Sequence, residues 1–165
     1  IALLIVLVLA VAAGVFAATR AVAGPGSLTD RTWTLSSVTV DGHDQALVTS
    51  RPITVRFRSQ DRRVSGSGGC NSYGGSYLIV GNTLHITNLQ MTLMACVDGT
   101  TFQADSGVME QESGYMQALG EIDRYHLDGD VLTLQGSGGR TILGFRSGAG
   151  WVTHRWVNFS SRLPQ

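Results

Sequence analysis

The run Gly66-Ser67-Gly68-Gly69-Cys70-Asn71-Ser72-Tyr73-Gly74-Gly75-Ser76-Tyr77 constrains this chain more than any other stretch. Its five glycines would suit a phosphate loop. Such a loop presents its N–H groups at a helix N-terminus. Here Tyr77-Leu78-Ile79-Val80 follows and reads as a strand, with no helix start. The Gly-Lys-Ser/Thr signature is closed to a chain without lysine, and Asn71 stands where the dinucleotide fingerprint needs glycine. The glycines are therefore assigned to backbone geometry, to bulges and turns that need positive φ or close approach. Cys70 sits among them, and the only other cysteine is Cys96.

A chain of 165 residues has room for one domain and a leader. Twelve arginines balance twelve acids, which leaves no electrostatic footprint for nucleic acid, and none is expected as a partner. The arginines at 51, 56, 58, 62 and 63 crowd one region. Ile53, Val55 and Phe57 alternate with Arg56 and Arg58, so a solvated strand face accounts for them.

Residues 1–18 carry no charge, and Arg20 ends the run. That length reaches the threshold for spanning a bilayer and exceeds the usual core of a signal peptide. Ala21-Val22-Ala23 has the small-x-small pattern of a cleavage site, and Gly24-Pro25-Gly26-Ser27 reads as linker. A cleaved signal and a retained membrane anchor both stand. Either puts the domain outside the cytoplasm. The absence of an initial Met leads to the expectation that a few residues precede Ile1. The organisation read from the chain is a leader (1–23), a linker (24–27), a domain (28–146) and a C-terminal extension (147–165).

Within the domain, strands are predicted over 33–40, 53–58, 62–67, 77–80, 83–87, 125–127, 131–135 and 140–145. Asp41-Gly42, Gly81-Asn82 and Asp128-Gly129-Asp130 mark hairpin turns. One helix is predicted over 106–119, capped by Asp105 or Ser106 and stopped at Gly120. Val108, Glu112, Tyr115, Met116 and Leu119 form its sheet-facing stripe, and Gly114 weakens it. The expected fold class is α+β. It is a strongly bent antiparallel sheet or partly open β-barrel covered by one helix, preceded by an N-terminal hydrophobic helix. The extension holds Trp151, Trp156 and Phe159, too apolar for a simple tail, and these form a candidate contact surface.

Three segments carry a resemblance. They are Gly69-Cys70-Asn71-x-Tyr73-x-Gly75-x-Tyr77, Thr92-x-Met94-Ala95-Cys96, and Met109-Glu110-Gln111-Glu112-x-x-Tyr115-x-x-Ala118-Leu119. In this order they resemble the META domain, or HslJ-like, family, with the likeness running over about 28–145. Residues 97–104 depart from it, being longer than the family's usual link and lacking its proline. The resemblance implies a bacterial cell-envelope protein with a stress-associated role, linked to heat shock and antibiotic tolerance. It carries over no catalytic residues.

An exported setting and an even cysteine count favour a Cys70–Cys96 disulfide. A reactive thiol is the alternative, and would need a pKa-lowering neighbour. His43, His85, His126 and His154 have no ligand spacing to each other or to the cysteines, so no metal or other cofactor is expected. Asp128 and Asp130 flank a turn glycine, and the later acids of a calcium loop are missing. No Gly-x-Ser-x-Gly elbow is present. The expected function is therefore non-catalytic: an exported envelope protein with a binding or stress-response role. Its partner would be an envelope protein or a small apolar ligand, with the membrane engaged through an uncleaved leader. A thiol-active envelope enzyme and a purely structural envelope protein are the alternatives.

Overall fold

The computed structural model describes residues 27–97 and 104–148. Strands β1 (Thr32–Val40), β2 (His43–Asp44), β3 (Thr54–Arg58), β4 (Arg63–Ser67), β5 (Ser72–Val80) and β6 (Thr83–Met91) come first. Helix α1 (Ser106–Gly120) follows, then β7 (Ile122–Asp128), β8 (Val131–Gly136) and β9 (Thr141–Arg146). Each strand lies beside its successor in one antiparallel sheet, except that β3 pairs with β1 and the two-residue β2 lies at the edge of β1. β9 then pairs back onto β1, from Thr34↔Arg146 to Val40↔Thr141. The expected partly open barrel is therefore corrected to a closed one. Eight strands form the ring, and pairing its first and last strands satisfies the N–H and C=O groups that an open sheet would leave unpaired. The expected N-terminal helix over 1–23 lies outside the described residues. No helix among the described residues is long and apolar enough to cross a membrane.

Alternation fills the interior. Val55 and Phe57 of β3, Leu132 and Leu134 of β8, and Leu143 and Phe145 of β9 are fully buried. Arg56 and Arg58 face solvent, as do His85 and His126, as their alternation predicts. Phe57 meets Tyr77 edge-on with centroids 5.2 Å apart. The buried Trp33 donates its indole N–H to the Leu28 carbonyl at 2.9 Å.

The glycine-rich run is less turn and more strand than its composition suggests. β5 begins at Ser72, not at 77, and passes through Gly74 and Gly75 with a register shift against β6. A Cβ on Gly75 would lie 2.8 Å from the Thr87 carbonyl oxygen. Glycine thus permits a bulge that a larger residue would break. At the helix, Asp105 is the cap and accepts the Val108 N–H. Gly120 is the last helical residue, and the Glu121 N–H closes the end on the Ala118 carbonyl. The end therefore needs no left-handed glycine.

Because all strands are antiparallel, the end of β1, the start of β5, the end of β6 and the start of β7 share one end of the barrel. α1 connects β6 to β7 across that end. β6 and β7 themselves meet at a single register pair, Thr83↔Arg124.

At the opposite end, the Asp130 carboxylate accepts hydrogen bonds from Ser147 Oγ at 2.9 Å and from Arg31 at 2.6 Å. The Ser147 hydroxyl and then the Arg31 guanidinium hold its pKa below the ordinary carboxylate value. A carboxyl lowered on folding contributes stability above its unfolded pKa of about 4, and that stability is lost as pH falls through the folded value. Asp130→Asn should therefore lower the urea midpoint at pH 7 and lower it less at an acid pH below the unfolded value of about 4. An equal deficit at both pH values would show that the hydrogen bonds act without the charge.

Candidate functional site

Two features lie under α1. The first is a knot at the glycine-rich turn. Glu112, on the buried face of the helix, is 3 % exposed. One carboxylate oxygen accepts the Asn71 N–H at 2.6 Å and the Cys70 N–H at 3.2 Å. The other accepts the Asn71 side-chain amide at 2.7 Å. Asn71 Oδ1 in turn accepts the Met94 N–H at 2.8 Å and the Thr92 hydroxyl at 2.9 Å. Cys70 and Cys96 lie at disulfide-bonding distance, with Cα atoms 5.8 Å apart and no free cysteine in the chain. Gly68 makes room for the knot, since a Cβ there would sit 2.5 Å from Glu112 Oε1.

Tyr73 completes this corner. Its hydroxyl donates to the Thr54 carbonyl at 2.9 Å and so accepts from the Tyr115 hydroxyl at 2.7 Å. Burial pushes both phenols up, Tyr115 well above the usual tyrosine value. Both stay neutral at physiological pH and act as fixed hydrogen-bonding groups. Cys70, Cys96 and Glu112 are near enough to hold a metal ion. They do not suit one, because the sulfurs are paired and the carboxylate is occupied by N–H donors.

The structure thus brings Gly69, Cys70, Asn71, Tyr73, Met94 and Cys96 together. Gly69 takes a φ of +111° at the turn. Met94 contributes its backbone to the knot, while its side chain and Ala95 are exposed. Tyr77 reaches the far end of the barrel, where its hydroxyl donates to the Arg58 carbonyl. Trp151, Trp156 and Phe159 lie outside the described residues. Glu112 is the member that sequence reasoning placed on the buried stripe without linking it to Cys70 or Asn71. A carboxylate at a core position, four residues after Val108 and three before Tyr115, was the available signal.

The second feature is a cavity of about 490 Å³ between α1, strands β1 and β9, and the segment joining β2 to β3. Leu35, Val38, Val48, Tyr115, Ala118 and Leu143 supply its apolar wall. Gly107, Glu110, Gln111, Gly114, Tyr115 and Ala118 also line it, at the spacing of one helix face. Gln111 fixes the connecting segment. Its side-chain oxygen accepts the Val48 N–H at 2.6 Å, and its amide donates to the Val48 carbonyl at 3.4 Å. The sequence signal for this cavity was the pair of helix glycines seven residues apart, at 107 and 114.

A small closed antiparallel barrel, capped by one helix that a disulfide and a buried acid tie down, defines the class of domain. The chain belongs to the META domain family, whose model matches residues 26–149. It is similar to a protein from Burkholderia xenovorans solved by NMR, at 30% identity and a TM-score of 0.60 over 74% of this chain and 85% of that one. A DUF4847 family protein from Bacteroides vulgatus ATCC 8482 shares the fold, at 14% identity and a TM-score of 0.52 over 75% of this chain and 96% of that one. No curated protein shows significant similarity to the chain.

Proposed function

We propose that this chain is a non-catalytic, exported META-family envelope protein that acts in stress tolerance by binding a small apolar ligand. The observation that carries the reading is the cavity beside α1, whose size falls in the range of small-molecule sites and whose wall is mainly apolar. The chemistry of the knot is structural in kind, since its polar groups are matched within the fold. The cysteine pairing is compatible with an oxidising compartment. It leaves neither sulfur as a free thiol, so the thiol-enzyme alternative gains no support from geometry.

The test is complementation. A strain lacking the gene should lose survival under heat or antibiotic stress. Wild-type protein should restore it, and Gly114→Leu, which fills the cavity, should not. Full restoration by the filled variant would overturn the binding reading. A reporter fused after Phe145 that works only inside the cytoplasm would overturn the export.

A further inference from the structure

Resting on that binding reading, we infer that the cavity selects an apolar molecule that carries a cationic group. Among the described residues that line it, Glu110 is the one charged side chain, in a chain with twelve arginines. It stands at the rim on the exposed side of α1.

The other polar side chains of the lining already have partners. Gln111 is occupied at both ends by Val48. The Gln45 amide donates to the His43 carbonyl at 3.0 Å, and the Tyr115 hydroxyl is engaged by Tyr73. An anionic group would be best held by a cationic side chain, and the described lining has none. A cationic group needs an acceptor, and the Glu110 carboxylate supplies one beside an apolar wall.

Gly114 supports a site on this face. Glycine weakens a helix interior relative to alanine. Among the described residues nothing lies within 4 Å of where its Cβ would be, so packing against them gives no reason for glycine. Its effect is to leave the volume beside Glu110 open.

The probe is a neutral apolar dye, N-phenyl-1-naphthylamine, whose fluorescence rises in apolar surroundings. The full chain is compared with Gly114→Leu, and the signal that Gly114→Leu removes is taken as cavity binding. Decyltrimethylammonium, decyl maltoside and decyl sulfate then compete for that signal, each below the concentration at which it forms micelles. The cation should displace the dye about two- to fivefold better than the neutral compound, the range of an exposed charge pair, and the anion least well. Glu110→Gln should abolish the order of the three compounds.

Equal displacement by all three, or an order that survives Glu110→Gln, would overturn the charge selection and leave the binding reading intact. A dye signal insensitive to Gly114→Leu would overturn both. If that variant fails to fold, Val38→Phe fills the same cavity from β1 and answers the same question.

Discussion

Replacing Cys70 and Cys96 with alanine should lower the unfolding free energy by about 3–4 kcal/mol, the chain-entropy value for a cross-link across this sequence separation. Domains of this kind have only about 5–15 kcal/mol to lose. The cross-link joins the turn before β5 to the segment that follows β6 and leads towards α1. Removing it frees both. The check is a guanidinium unfolding curve of the variant against the oxidised parent. Dye binding in the folded fraction should persist, because the cavity lies on a different face of α1. A midpoint shift worth under about 1 kcal/mol would mean that the polar contacts alone hold the corner.

Glu112→Ala should have an effect of similar size, about 3 kcal/mol or more. Three donors, the Cys70 N–H, the Asn71 N–H and the Asn71 amide, would lose their acceptor in a buried setting. Each unmatched buried group costs about 1–3 kcal/mol, reduced where water can enter. Glu112→Gln should cost less, since it keeps one acceptor oxygen, but it sets an NH₂ group against a neighbouring donor. Thermal unfolding of both variants tests the ranking. Glutamine at least as harmful as alanine would mean that the opposed donors, not the number of acceptors lost, control the site. Combined with the cysteine substitutions, Glu112→Ala should fall short of additivity, because both changes release one corner.

The hairpins were legible because their turns announce themselves. Asp41 and Gly42 both take positive φ, as does Gly129, and each sits where alternating apolar residues stop. The helix was legible from its spacing and from Asp105. Closure was not, because the pairing of Leu35 with Phe145 joins residues more than a hundred positions apart, and neither strand carries a mark of its partner. Residues 72–76 hid their strand behind glycines, whose value there lies in what passes close by. The cavity was hidden for a related reason. Gly114 reads locally as a helix weakness, and only the arrangement of β1, β9 and Val48 around it gives the missing side chain a consequence.

The single register pair between β6 and β7 has a consequence for how this domain would fail. Over most of their length, these two strands have outer edges that are not paired with each other. In the native molecule the helix spans the gap and the knot holds the helix in place. Reduce the disulfide or remove Glu112, and the ring can part at this seam before the rest of the sheet unravels. Two strand edges with unmatched N–H and C=O groups would then face solvent, and such edges pair readily with those of another copy. Damaged protein should therefore leave solution as β-rich assemblies more than as unfolded monomer, and the tie between helix and turn guards against that outcome as well as stabilising the fold.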